Sequence, residues 1–247
     1  MKTIRIVLLL FAAATLSGAD IDHQELAFEI RKMGGQVFTN KTDGKIIEID
    51  LNGHPRVTTA LLKRVGNIDS LKDLSLEKTP ITDAGIAELK SLQKIEWLNL
   101  YQTGITDDSL KILASLKSLK LLPTGSTKIT GAGLRHLANA THLEYLGLRG
   151  NIIDDRSLNH LGALTNLAGL HLGETQITDE GLQHLTTLTS LEKLWLHDTQ
   201  VTNEGLNHLA KLKNLRQLVI YNTKVDAKGY RRLKKSLPDC FILYRVE

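Results

Sequence analysis

Residues 175–218 read TQITDEGLQHLTTLTSLEKLWLHDTQVTNEGLNHLAKLKNLRQL. The string Thr175-Gln176-Ile177-Thr178-Asp179-Glu180-Gly181-Leu182 returns 24 residues later as Thr199-Gln200-Val201-Thr202-Asn203-Glu204-Gly205-Leu206. Self-similarity at a fixed period is the mark of a repeat architecture, in which each copy is one small structural unit.

Working outward at the same interval, Leu71, Ile95, Leu119, Leu143, Leu167, Leu191 and Leu215 open seven units. We number positions within each unit from these residues. Positions 4 and 6 are apolar in nearly every unit, as in Leu74 and Leu76 or Leu194 and Leu196. The opening L-x-x-L-x-L is the signature of a leucine-rich repeat, a short strand whose alternate residues enter a core. Position 9 is Thr in six units and Asn151 in the other, so a small hydrogen-bonding group stands where the chain leaves the strand. Position 11 is always Ile or Val. Position 12 is Thr or Asp throughout, which is N-cap chemistry ahead of a helix. Asp83, Asp107, Asp155 and Asp179 follow that cap, where a carboxylate suits the helix dipole. Gly or Ser at position 15 and apolar residues at 16, 19 and usually 22 lay one stripe along a short helix. No unit can bury its apolar face alone, so the seven must stack.

These residues predict an α/β fold: a leucine-rich-repeat solenoid, a right-handed horseshoe arc with a parallel concave sheet and short convex helices. The expected organisation is a signal peptide over 1–19, an N-terminal cap over 20–70, seven repeats over 71–238 and a capping strand over 239–247. Within the N-terminal cap, 22–33 has an amphipathic helical pattern that stops at Gly34-Gly35, and 36–40 and 45–51 read as strands around a turn. Unit three departs from the template through Pro123, Thr124 and Ala140, and a local irregularity is expected there.

Lys2 and Arg5 precede an apolar run, 6–16, that is too short to span a bilayer, and Ser17-Gly18-Ala19 offers a cleavage site. Export to a periplasmic or extracellular location is therefore expected. Removing 1–19 lowers the net charge from +4 to +2, which argues against a nucleic-acid partner. Cys240 is the sole cysteine, so the core alone must hold the fold. Asn40 and Asn139 lie in N-x-Thr triplets, which matter only in a host that glycosylates.

The chain resembles exported bacterial leucine-rich-repeat proteins whose units read L-x-x-L-x-L-x-x-T-x-I-T-D-x-G-L-x-x-L. The resemblance rests on TPITDAGIAEL at 79–89 and TQITDEGLQHL at 175–185, and covers about 25–240. The Met33-Gly34-Gly35-Gln36-Val37 cap is similar to that group as well. The repeats are also similar to those of F-box leucine-rich-repeat proteins, although 20–70 contains no F-box-like segment. The motif implies a fold and leaves function to the residues it does not dictate.

Those residues are positions 2, 3, 5, 7 and 8, which this architecture turns to the concave face. Five of the seven Trp and Tyr residues fall there: Trp97, Tyr101, Tyr145, Trp195 and Tyr221. With Arg149, His171 and His197 they form the expected partner-binding set. Trp97, Tyr101, Tyr145 and Arg149 lie toward the first half, and His171, Trp195, His197 and Tyr221 toward the second. Gly147, Gly150, Gly169 and Gly173 lie between, so an extended partner gripped at two clusters, with bulk tolerated over the glycines, is expected. His136, His160, His184 and His208 recur at position 18, where packing beside an apolar stripe accounts for them better than a metal does. Lys224, Lys228, Arg231, Arg232, Lys234 and Lys235 read as the polar face of a terminal repeat, with an anionic surface as the other use.

No nucleophile motif, zinc motif or phosphate loop occurs. The expectation is a monomeric, non-enzymatic scaffold for a protein or peptide, with no cofactor, no metal and no transmembrane segment. The alternatives are an envelope-associated structural protein and an exported effector that resembles an F-box substrate receptor without the F-box.

Overall fold

The computed structural model describes residues 18–245, with side chains from residue 23 onward. The expected export signal, apart from its last two residues, lies outside the described residues. The chain runs through a ten-stranded sheet in sequence order. Helix α1 (Gly18–Lys32) leads into a hairpin of β1 (Gln36–Thr39) and β2 (Ile46–Asp50), the antiparallel start of the sheet. The remaining strands are parallel: β3 (Asp73–Ser75), β4 (Trp97–Asn99), β5 (Leu121–Pro123), β6 (Tyr145–Gly147), β7 (Gly169–His171), β8 (Lys193–Trp195), β9 (Gln217–Val219) and β10 (Phe241–Leu243).

The 24-residue interval is also the strand register. Leu74 pairs with Leu98, Leu146 with Leu170, Leu170 with Leu194 and Leu194 with Leu218. All these leucines are fully buried, as are those at positions 1 and 6, so one apolar column runs the length of the arc. Each threonine at position 9 donates its hydroxyl to the carbonyl three residues back, as Thr199 Oγ1 does to Leu196 O at 2.6 Å. The buried turn off each strand is thereby satisfied from within.

Helices return the chain along the convex side: α2 (Thr59–Val65), α3 (Asp83–Ala87), α4 (Asp107–Leu113), α5 (Asp179–Leu182), α6 (Leu206–Leu209) and α7 (Ala227–Ser236). Units three and four use 3-10 turns instead, Gly131–Leu137 and Arg156–Leu161. The capping hydroxyl is used where expected by Thr106 and Thr178, but not by Thr82 or Thr130.

The carboxylates that follow the cap do more than face a helix dipole. Asp179 Oδ1 accepts from the Thr202 N–H at 2.8 Å and Oδ2 from the Thr202 hydroxyl at 2.6 Å, both in the next unit. Asp83, Asp107 and Asp155 hold Thr106, Thr130 and Thr178 in the same way. These bonds draw the Asp83 carboxyl down: burial pushes it up, and the Ser109 and Thr106 hydrogen bonds outweigh that. Position 15 explains itself by the same contact. A Cβ on Gly205 would stand 2.3 Å from Asp179 Oδ1, and one on Gly133 2.3 Å from Asp107 Oδ1. Glycine is there to make room for the previous unit's aspartate, and Ser109 instead donates its hydroxyl to Asp83.

The clamp is interrupted once inside the array. Gly131 occupies the aspartate's place in unit three, and its own N–H donates to Ile152 O at 2.9 Å. The irregularity expected around Pro123 is present: β4 and β5 share only the Trp97–Leu121 pair, where most neighbouring strands share three. Thr124, in a leucine's place, is fully buried and donates to Gly147 O at 2.9 Å. Asn151 Nδ2 adds a bond to Thr124 O. The polar insertion is hydrogen-bonded rather than loosely packed.

Candidate binding face

Position 8 shapes the concave face. Lys78, Gln102, Ser126, Gly150, Glu174, Asp198 and Asn222 all have φ between 52° and 69°, the left-handed region. One such residue per unit turns the chain away from the sheet, and its N–H donates to the position-7 carbonyl of the next unit, as Glu174 does to His197 at 2.9 Å. Asn, Asp and Gly tolerate this conformation best, and they account for three of the seven residues at position 8, Gly150, Asp198 and Asn222; the other four are polar or charged, and none is β-branched.

In the second half of the arc the ring side chains touch. His171 stacks on Trp195 with centroids 5.3 Å apart and planes 9° from parallel. His197 stacks on Tyr221 at 4.8 Å and 6°. The two stacks meet edge-on, His171 against His197 at 5.2 Å. Tyr145 reaches Trp195 from two strands away at 6.2 Å and 78°, an edge-to-face contact. Five rings from β6 to the end of β9 thus make one cluster.

This corrects the expectation of two clusters with open glycines between them. A Cβ at Gly169 would lie 2.7 Å from Tyr145 Cδ2, and one at Gly173 2.6 Å from His197 Cε1. Gly169 and Gly173 are floors under rings and leave no space for added bulk. Tyr101 likewise lies over Gly125. Tyr145 therefore belongs with the second set. Among the described residues no ring contact joins Trp97 or Tyr101 to it.

Leu121 bridges the gap that Trp97 leaves. It pairs in register with Trp97 on one side and Tyr145 on the other, and it is 39% exposed, an unusual fraction for leucine. An apolar line therefore runs obliquely across the concave face through Trp97, Leu121, Tyr145, Trp195 and Tyr221, its last two members linked through His171 and His197. Sequence reasoning missed Leu121 because leucine is the template residue, yet position 3 is not a core position. A groove of about 280 Å³ lies beside this line, with Leu121, Tyr145, Gly169, Glu192 and Lys193 among its walls.

His197 itself is buried, so it supports the cluster from within. His171 has its pKa lowered to about 4 by burial first, then by His197 and Arg149. Geometry agrees: its Nδ1 accepts the Gly173 N–H at 3.2 Å, so the ring is neutral. Along the strand ends, Arg149 Nε donates to Glu174 Oε1 at 2.9 Å. Asp198 pairs through Oδ2 with His197 Nδ1 at 2.9 Å and accepts from Asn222 Nδ2 at 3.0 Å. These partners, His197 first, hold its carboxyl below the usual range.

Glu174, His197 and Asp198 also place donor atoms within 4.8 Å of one another, near enough for a cation to be considered. The Arg149 guanidinium already occupies one side of Glu174, and Asn222 one side of Asp198, so the triplet is built as a charge and hydrogen-bond network. His136, His160, His184 and His208 sit half-buried in separate units and contribute nothing to it.

No protein-family model and no curated protein matches the chain. Among solved structures it is similar to internalin C2 of Listeria monocytogenes, with 25% identity, 95% of this chain and 98% of that chain covered, and a TM-score of 0.62. The chain is a leucine-rich-repeat protein. A second internalin of the same organism, inlF, is 20% identical over 73% of this chain and 69% of its own, with a TM-score of 0.43. The likeness to internalin C2 supports a protein-interaction scaffold in general. No helix among the described residues is long and apolar enough to cross a membrane.

Proposed function

We propose that this protein is an exported, monomeric, non-enzymatic scaffold that binds a protein or peptide across its concave face. The observation that carries the reading is the oblique line from Trp97 to Tyr221, five apolar and aromatic side chains on a surface that the fold leaves free to vary. Large rings held by their neighbours offer contact area at small entropic cost, as binding hot spots require. Trp97, Leu121, Tyr145, Trp195 and Tyr221 make the contact. Tyr101 borders it, His171 and His197 hold the rings in place, and Arg149 with Glu174 sets the polar rim.

The test is affinity capture with the wild-type chain and a Trp195→Ala/Tyr221→Ala variant, each shown to melt cooperatively. Captured proteins are then purified and titrated against both. A partner whose affinity falls at least tenfold with the variant supports the reading. Partners that bind both equally overturn it. Export is tested by N-terminal sequencing of the secreted chain, with Asp20 expected as the first residue. The monomer is tested by light scattering.

A further inference from the structure

The concave reading leaves the last convex helix unused. Helix α7 is the longest of the helices that follow β2, and Asp226 Oδ1 caps it by accepting from the Lys228 and Gly229 N–H groups at 2.8 and 2.9 Å. Its buried side carries Gly229 and Leu233. Lys228, Arg231, Arg232 and Lys235 are all exposed and fall at i, i+3, i+4 and i+7, which is one face turned away from that core. The stripe is about 10 Å long at 1.5 Å per residue.

Like charges at i,i+3 and i,i+4 repel and weaken a helix. A terminal repeat that needed only solubility would mix signs, as α4 does with its Lys111–Asp108 pair at 2.8 Å. Here no ion pair among the described residues joins the stripe to an acidic side chain. The imbalance extends over the whole end of the chain. Residues 211–247 hold ten Lys and Arg against three acids, a net +7. Residues 20–210 hold 19 against 24, a net −5. The molecule is a long body of slight negative charge with a concentrated positive end.

We propose that the exposed face of α7 docks this protein on an anionic phospholipid surface. A charged plane attracts the positive end and repels the body, so it orients the arc as well as holding it. The concave face then stays free for its partner. A soluble polyanion offers no plane, and the segregation of charge along the arc would serve it no purpose.

The test is vesicle co-sedimentation of the full chain and its K228Q/R231Q/K235Q variant, so that the apolar run 6–16 is common to both. These three residues are chosen because Arg232 Nη2 and Lys234 Nζ hold backbone carbonyls of Asn203 and Cys240. Each basic residue near an anionic leaflet contributes about fivefold in affinity, so the triple variant is expected to lose about a hundredfold on phosphatidylglycerol-containing vesicles. Its melting temperature is expected to be unchanged or higher, since repulsion is relieved. A K90Q/K94Q/K117Q variant removes the same charge elsewhere and is expected to bind like wild type. Wild-type binding is also expected to weaken steeply between 0.05 and 0.5 M salt, roughly as screening shortens. Equal binding to neutral phosphatidylcholine vesicles, loss within twofold for the α7 variant, or capture by soluble polyphosphate without vesicle binding would each overturn the proposal.

Discussion

Units three and six occupy equivalent places in the arc and are built differently. In unit six, Leu196 fills the core, and Thr202 is held by Asp179 from the unit before. In unit three a threonine fills the leucine's place and a proline interrupts the strand; Thr130 is still held by Asp107, but Gly131 offers no carboxylate to unit four. Both are fully buried at the core, and both satisfy their polar groups. The leucine column continues through unit three at Leu119 and Leu122, whereas the aspartate clamp does not pass from it to unit four. The same contrast holds on the surface, where units four to seven carry linked rings and unit three contributes only Leu121.

The largest expected effect comes from the column. Leu172→Ala should cost about 2–5 kcal/mol by chemical denaturation, because a fully buried leucine leaves a cavity that a regular stack cannot close. A loss below about 1 kcal/mol would mean that the core is as adaptable at unit five as at unit three.

Next is the clamp. Asp179→Ala leaves the Thr202 N–H and hydroxyl without a charged acceptor, and should cost about 2–3 kcal/mol. Gly205→Ala should cost a similar amount, about 1–3 kcal/mol, through the 2.3 Å approach to Asp179 Oδ1. The decisive measurement is the double variant. With the carboxylate gone the added methyl has room, so the two costs should fall well short of additive. Full additivity would detach glycine at position 15 from the clamp.

The smallest thermodynamic effect concerns His171. Its folded pKa of about 4 lies below the ordinary 6.5, so the unfolded chain binds the proton more readily. The stabilisation is present in full above pH 6.5 and lost as pH falls toward 4. Allowing for screening at a partly exposed ring, it amounts to about 1–2 kcal/mol. His171→Gln should flatten the wild-type stability curve in that window, and an unchanged curve would remove histidine burial as the cause.

Hydrogen exchange sharpens the contrast without mutation. Amides of residues 121–131 should exchange about tenfold faster than those of 193–203, because the former lack a full strand ladder. Equal protection would mean that the leucine column alone sets local stability.

The fold was legible because seven units repeat at one interval, and a period of 24 with L-x-x-L-x-L has few other physical solutions. The concave positions followed from strand alternation. Which rings meet did not. Tyr145 leans across two strands because Gly169 has no Cβ to stop it, and that depends on a neighbour 24 residues away rather than on any local spacing. The clamp was misjudged for a related reason. Asp179 sits beside its own cap in sequence and bonds to the next unit in space. The available signal was the pairing of aspartate at position 13 with glycine or serine at position 15 one unit later. Unit three, with glycine at 13, is the informative exception.

The clamp also gives the array a direction. Most units carry a hook for their successor and a hollow for their predecessor, so copies are joined head to tail and never in reverse. The hook is spelled out at Asp155 and Asp179, softens to Asn203, which still accepts the Asp226 N–H at 3.1 Å, and ends at Ala227. A whole extra copy placed between units five and six would find both fittings ready. Placed after unit seven, it would meet an alanine and have nothing to latch on to.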